Sequence, residues 1–226
     1  MKVSKKSNYE VIEAGNYVAR LYQIIYLGTL PTEWKGEQKM TEKIWLTFEL
    51  CDEKKVFKEG EEAKPLAISR EFTLSMGEKS NFRPFVEGFI GTRFVGDEVY
   101  EFDIDDLIGK ECLLNVVHNV SGDNTYANIQ NATPLPKGMK APALFNDATI
   151  INVNSTPFEE IAKLPQFLQD KMATSEEWTA RKALGAMPNP KDFRPEVVKD
   201  KMAQQGEVSA EEEYNQLGET NIDPTF

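Results

Sequence analysis

Apolar and polar residues alternate most regularly over residues 43–51, KIWLTFELC. Because successive side chains of a strand point to opposite faces, this alternation predicts a strand with one buried and one solvated face. Trp45 falls on the polar parity beside Lys43, so we expect its ring to lie on the solvated face. The apolar parity comprises Ile44, Leu46, Phe48 and Leu50.

Four further segments have the pattern and the residue types of strands. The turn residues SGDN, 121–124, join the last two of them as a hairpin. Residues 28–40 are polar and contain Pro31 and Gly36, so they predict a loop between the first two strands. The four segments are residues 15–27, 65–76, 110–120 and 125–133.

One segment between the third and fourth strands changes to a helical period. Ser80 or Asn81 can cap a helix that continues to Ile90, and Gly91 ends it. The order of elements predicts a mainly β fold: a five-stranded, OB-fold-like Greek-key barrel with a helix between strands 3 and 4. Sequence order alone also permits other small barrels. The apolar stripe of the helix, which predicts its buried face, comprises Phe82, Phe85, Val86 and Phe89.

The composition of the chain changes after PLPKGMKAP, residues 134–142, which closes this domain. We predict a barrel domain over 1–145 that folds alone, a helical extension over 146–200 and a flexible acidic tail over 201–226. The net charge is −11, of which the residues after 140 contribute −7. The acidity is thus concentrated towards the tail, and a nearly balanced barrel can still hold a basic groove.

Several stretches of the chain resemble a group of bacteriophage-encoded single-stranded DNA-binding proteins. They are GKECLLNVVHN and TYANIQNATPLPKG in the closing hairpin, and ISREFTLSMGEKSNFRPFVEGFIG and FDIDDLIGK before it. These matches cover roughly residues 15–140, in order. The resemblance implies an OB-fold that binds and protects single-stranded DNA without sequence preference. It also implies a role in phage DNA replication and recombination, in the cytoplasm of the host cell.

A single-strand-binding surface requires aromatic rings that stack on bases and basic side chains that contact phosphates. Trp34 lies in the polar loop beside basic residues, although its ring could equally fold back over the core. Tyr126 lies among amides in the hairpin, a setting that also fits an ordinary surface tyrosine. Arg70 is expected at the barrel rim or where its strand leaves the core. The predicted DNA-contact residues are Trp34, Lys35, Lys39, Lys43, Trp45, Arg70 and Tyr126.

The last residues, NIDPTF, place an aromatic ring after an acidic run, since six acidic side chains follow the last basic residue, Lys201. This end resembles the tails of bacterial and phage single-stranded DNA-binding proteins. The resemblance implies that Asp223, Pro224 and Phe226 recruit phage or host replication and recombination proteins. A flexible acidic tail can also compete with DNA for a basic groove. Without the barrel, the same residues would fit a solvated chain end.

Motifs that would indicate an enzyme are missing from the sequence. There is no Walker loop, dinucleotide-binding glycine motif, zinc-ligand spacing or nucleophile elbow, and there is one histidine. We therefore expect no enzymatic activity, no cofactor and no metal ion. No apolar run is long enough to span a membrane, and the N-terminus lacks a secretory signal. Cys51 and Cys112 fall in predicted strands and are expected as buried thiols of a reducing cytoplasm.

A second interpretation is a phage protein–protein adaptor that uses the barrel as a scaffold and does not contact DNA. Salt-sensitive binding to oligo(dT) distinguishes the two interpretations, because neutralised phosphates impose a steep salt dependence on affinity. Self-association of the chain into a homo-oligomer is compatible with either one.

Overall fold

The computed structural model describes residues 11–57, 60–122 and 124–183, and at Trp34 the backbone alone. The predicted acidic tail and the end of the predicted extension lie outside these residues. The described part is mainly β, with short helices. Its strands are β1 (Gly15–Trp34), β2 (Glu37–Lys55), β3 (Lys64–Thr73), β4 (Glu111–Ser121), β5 (Asn124–Thr133) and β6 (Thr149–Asn152). Its helices are α1 (Phe82–Ile90), α2 (Glu98–Glu101), α3 (Phe158–Ile161), α4 (Gln166–Met172) and α5 (Glu176–Ala183), with a 3₁₀ turn at Ile104–Leu107.

The strands form one sheet with the order β3-β2-β1-β4-β5, in which each neighbouring pair is antiparallel. β6 joins this sheet as a parallel partner of β1, beyond the stretch of β1 that pairs with β4. Among the described residues, no backbone ladder joins β3 to β5, so the sheet does not close into a barrel. The prediction of a closed barrel is therefore wrong, and β6 is an addition that the apolar pattern does not predict.

Arg70 connects the two ends of the open sheet. Its Nη1 donates hydrogen bonds from β3 to the carbonyl oxygens of Ile129 and Gln130 on β5, at 2.8 and 2.9 Å. The guanidinium carbon lies 4.5 Å from the centre of the Phe72 ring, which gives the half-buried cation a favourable aromatic face. Burial lowers the pKa of this guanidinium, but an arginine stays protonated throughout the physiological pH range. A charged side chain thus stands in for backbone pairing between β3 and β5.

The segment predicted as a loop, residues 28–40, forms the outer half of a long β1–β2 hairpin. Ladder pairing continues to Trp34 and Glu37. Lys35 and Gly36 have φ of 52° and 79°, a left-handed pair that matches the twist of the strands in a two-residue turn. This pairing shows that the loop prediction is wrong. Most of these residues are exposed, and a hairpin that projects into solvent needs no apolar face. The alternation that identifies a half-buried strand is therefore absent from the sequence.

Helix α1 covers one face of the sheet and forms the main hydrophobic core. The predicted helix is confirmed, and Gly91 ends it with φ 71°. Phenylalanine rings from helix and sheet pack together: Phe72 lies 4.6 Å from Phe85, and Phe48 lies 5.8 Å from Phe89, between ring centres. The apolar parity of β2 faces this core, as the alternation predicts.

A second core covers the opposite face of β1 and β2. β6 and helices α3–α5, which belong to the predicted helical extension, pack there against apolar side chains of the sheet. Trp45 is 2% exposed, and its ring meets Phe167 of α4 edge-on with 5.6 Å between ring centres. The prediction that Trp45 lies on a solvated face is therefore wrong. The sheet contributes Ile25, Leu27, Leu30 and Trp45 to this core.

A carboxylate of the extension fixes α5 to the middle of β1. Glu177 accepts hydrogen bonds from the backbone N and the Oγ1 of Thr29, each at 2.7 Å. Gly28, with φ 91°, permits this approach, because a Cβ at that position would lie 2.5 Å from Glu177 Oε2. The absence of a side chain at residue 28 therefore allows the helix to dock against the strand.

The linker before β6 is also bound to the sheet. Glu49 of β2 is 1% exposed, and its carboxylate accepts hydrogen bonds from the backbone N of Phe145 and of Asn146, at 2.9 and 3.0 Å. Arg20 of β1 donates from Nε to the carbonyl oxygen of Pro142 at 2.5 Å. The predicted domain boundary between residues 145 and 146 thus falls within a segment that the sheet holds in place.

Candidate nucleic-acid interface

Lys43 and Trp45, two of the predicted DNA contacts, lie beneath the helical extension. Lys43 Nζ lies 3.1 Å from Thr73 Oγ1 and 3.5 Å from Glu71 Oε1, and its side chain is 16% exposed. Lys171 of α4 binds the same carboxylate, and burial lowers the pKa of this second lysine. In this arrangement the indole ring is covered and the Lys43 ammonium is engaged by an acid.

The extension covers the Trp45 ring with a large apolar interface. The second core buries twelve apolar side chains, each of which favours the docked extension by about 1.5–3 kcal/mol before the conformational entropy of ordering the extension is subtracted. A ligand could therefore reach the Trp45 ring only after this interface opens.

Lys35 and Lys39 lie at the projecting end of the β1–β2 hairpin, and both are exposed. Glu33 and Glu37 lie in the same arm and balance their charge. The backbone of Trp34 occupies the last ladder position before the turn, while its side chain lies outside the described atoms. The arm thus offers cations to a ligand without a large positive field.

Tyr126 lies on β5, opposite Asn119 of β4. Its neighbours Ala127 and Ile129 pack against the main core, so Tyr126 and Asn128 point to the other face of the sheet, as the alternation predicts. The tyrosine is half-buried. Its hydroxyl oxygen is buried and has no hydrogen-bond partner among the described residues. A polar atom in this state usually meets water or a ligand.

Arg70 acts as a structural connection, so its removal should affect stability. Replacement by methionine should lower the free energy of unfolding by about 1.5–3 kcal/mol, because the carbonyl groups of Ile129 and Gln130 lose a charged donor. Denaturant unfolding followed by circular dichroism measures this change. Arg93→Met, at an exposed position, is the control and should change stability by less than about 0.5 kcal/mol. Wild-type stability of the Arg70 variant would show that the bridge contributes nothing.

The predicted DNA-contact residues do not form one continuous patch. They occupy four places: the covered face of β2, the tip of the β1–β2 hairpin, the junction of β3 with β5, and the outward face of β5. The structure adds a group that the prediction missed, asparagines on the outward faces of β4 and β5. The sequence feature that could have identified these asparagines is their recurrence in predicted strands, where asparagine is disfavoured.

Two comparisons with known proteins give no match to this chain: no family model fits it, and no curated protein matches it. In the described ranges, no helix combines the length and the apolar character needed to cross a membrane. The same part of the chain contains no group of three His, Cys, Asp or Glu side chains arranged to hold a metal ion. Cys51 and Cys112 are both buried free thiols, so the prediction that they are buried is confirmed.

Proposed function

We propose that this chain binds single-stranded DNA through an OB-fold-like sheet. The strand order carries the proposal: with β3 and β5 connected by Arg70, the order around the sheet is β1, β2, β3, β5, β4 and back to β1. An OB-fold is a five-stranded, partly open Greek-key barrel that binds oligonucleotides. The position of α1 between β3 and β4 supports the same assignment.

The two long hairpins are the proposed DNA-binding elements. OB-folds bind oligonucleotides with the face of strands 2 and 3 and with the loops between strands 1 and 2 and between strands 4 and 5. Here the extension covers the outward face of β2, whereas the tip of the β1–β2 hairpin and the β4–β5 hairpin are exposed. The proposed DNA contacts therefore lie on the hairpins. Trp45, Lys43 and Arg70 are not among them, because packing and polar contacts within the protein hold these side chains.

The chemistry of the hairpins fits a ligand that every base and every phosphate supplies. Lys35 and Lys39 would neutralise phosphates, and Tyr126, with Trp34, would stack on bases. Stacking contributes about 1–3 kcal/mol per base, so two rings with two cations give useful affinity. The expected mode of binding is tolerant of sequence, since every base has a π-face.

Titration of oligo(dT) at 50 and 200 mM salt, followed by fluorescence anisotropy, tests the proposal. We expect binding that weakens with salt and a weaker response to duplex DNA of equal length. Substitution of Lys35 and Lys39 by alanine should reduce the salt slope by roughly 1.4, about 0.7 for each phosphate that is no longer neutralised. The matched control replaces Lys163 and Lys182, which are exposed on the extension, and should leave the slope unchanged.

Absence of binding at the lower salt concentration would overturn the proposal.

The same titration tests competition by the acidic tail. Asp223, Pro224 and Phe226 lie outside the described residues, so their partner-binding role stays a proposal. Removal of residues 207–226 should tighten binding at 50 mM salt and have less effect at 200 mM, since salt screens the competing acids. Equal affinities of both chains at low salt would exclude competition by the tail.

A second candidate function is a protein–protein adaptor. One observation favours it: the extension occupies the face of β2 that OB-folds use for oligonucleotides. The net charge of −11 also opposes approach of a polyanion. The titration separates the two functions, because an adaptor would bind neither oligo(dT) nor duplex DNA at low salt.

A further inference from the structure

Six asparagines lie on the outward face of three neighbouring strands. Asn124 lies at the hairpin turn, and we call the other five the amide strip. The face is identified by β4, whose alternate residues Cys112, Leu114 and Val116 are buried in the main core. The residues between them point away from that core. The amide strip comprises Asn16 of β1, Asn115 and Asn119 of β4, and Asn128 and Asn131 of β5.

The strand register brings these side chains next to one another. Asn115 pairs with Asn16 on one side and with Asn131 on the other, so three amides cross the sheet in one row. Asn115 Nδ2 donates to Asn16 Oδ1 at 2.8 Å, which orients this pair. Towards the hairpin tip, Asn119 pairs with Tyr126. The strip therefore runs from the beginning of β1 to the half-buried Tyr126.

Asparagine is a poor strand former, because its short amide competes for backbone hydrogen bonds and favours turns. The five asparagines of the strip therefore disfavour the strands in which they lie. Three, Asn16, Asn119 and Asn131, are exposed, so packing does not require them. A recognition role accounts for amides that neither strand propensity nor burial explains.

The strip carries no charge along its described length. Its remaining outward positions, Val18, Leu113, Val117 and Thr133, are also neutral, and the first charged pair, Arg20 with Glu111, lies at its end. A phosphate would find no cation there. An amide, by contrast, offers one acceptor and two donor hydrogens, which complement the hydrogen-bonding edge of a nucleobase.

We propose that the amide strip and Tyr126 bind the bases of single-stranded DNA at their edges, while the lysines of the β1–β2 hairpin hold phosphates. This inference rests on the proposed function. The unpartnered hydroxyl of Tyr126 supports it, since the described residues leave this buried polar atom without the partner that it requires. Each amide can turn to present a donor and an acceptor to any of the four bases, so the strip recognises a base without selecting its identity.

The test compares oligo(dT) with an oligomer of equal length whose residues are abasic. The strip and the stacking rings together predict that the wild-type chain binds oligo(dT) at least ten-fold more tightly than the abasic oligomer. The double substitution Asn119→Ala and Asn128→Ala should weaken binding to oligo(dT) roughly ten-fold, about three-fold for each hydrogen bond removed, and leave abasic affinity unchanged. Asn154→Ala, at an exposed turn after β6, is the matched control and should change neither affinity.

Tyr126→Phe examines the hydroxyl alone. It should weaken binding to oligo(dT) several-fold without lowering the denaturation midpoint, because the hydroxyl has no described partner to lose. If the double variant fails to fold by circular dichroism, Asn119→Ala alone, at an exposed position, serves in its place with a three-fold expectation.

The outcomes separate the two proposals. A wild-type chain that binds neither oligomer at low salt overturns the proposed function and, with it, the strip. Variants that bind oligo(dT) as tightly as wild type overturn the strip and leave single-strand binding through the hairpins in place. A wild-type chain that binds both oligomers equally overturns the strip together with the stacking by Tyr126 and Trp34, and leaves only the phosphate contacts of Lys35 and Lys39 in place.

Discussion

Replacing Trp45 by alanine should lower the free energy of unfolding by about 3–5 kcal/mol, the range for a large aromatic side chain removed from a core. The indole is 2% exposed and packs against Phe167, so its loss leaves a cavity that helix α4 and the sheet cannot fill. Denaturant unfolding followed by far-ultraviolet circular dichroism, and not by tryptophan fluorescence, measures the change. Because the fold loses so much, DNA affinity of this variant must be measured under conditions where it remains folded.

Trp45→Phe is the matched variant for that experiment. It keeps an aromatic ring against Phe167 and removes less volume, so we expect a smaller loss of stability than for alanine. An alanine variant as stable as wild type, with weakened DNA binding, would contradict the buried position and restore the expectation of a stacking residue on a solvated face.

Truncation after residue 145 should strongly reduce stability and create an apolar surface. The sheet would expose Ile25, Leu27, Leu30 and Trp45, each of which contributes about 1.5–3 kcal/mol when buried. The extension also costs conformational entropy to order, so the net loss is smaller than that sum. We expect a lower denaturation midpoint, binding of a hydrophobic dye such as ANS, and concentration-dependent self-association.

Truncation after residue 183 is the control, because it removes none of the described contacts and should leave the midpoint unchanged. The main core lies entirely within the truncated chain, so the prediction that residues 1–145 fold alone is decided by the same measurement. A 1–145 chain with the midpoint of the full chain and no dye binding would show that the second core contributes no stability.

Local patterns predicted the elements whose two faces differ. The alternation over residues 43–51 gave the correct inward parity, because Phe48 and its apolar neighbours meet the main core on one face. The helix that ends at Gly91 was predictable because its apolar residues recur at helical spacing and a glycine in the left-handed conformation ends it. Each of these signals depends on residues close together in sequence.

The outward face of β2 could not be predicted in the same way. A Trp45 beside Lys43 and Thr47 has the pattern of a solvated face, and the residues that cover it, such as Phe167, come far later in the chain. Arg70 was similarly ambiguous, since its position between Ile68 and Phe72 gives no indication that its partners are backbone carbonyls of β5. Long-range partners decide both positions, and no window of sequence contains them.

The candidate site was harder to predict than the fold. Lysine and aromatic residue types identified the hairpin tip and Tyr126, but they also selected Lys43, which Glu71 binds. The amide strip needs the register of three strands, because Asn16, Asn115 and Asn131 become neighbours only after pairing. Residue type alone does not reveal such a surface.

The parallel pairing of β6 with β1 also has a consequence for the time course of biosynthesis. Gln23 and Thr149, which are hydrogen-bonded neighbours, are 126 residues apart in the chain. At a synthesis rate of about 5–20 residues per second, the ribosome needs roughly 6–25 s to reach β6 after β1. From the completion of β2 until then, the β1–β2 hairpin has no cover for Ile25 and Trp45. Each nascent chain therefore displays an apolar surface that chaperones or neighbouring nascent chains can contact before its own last helices are synthesised.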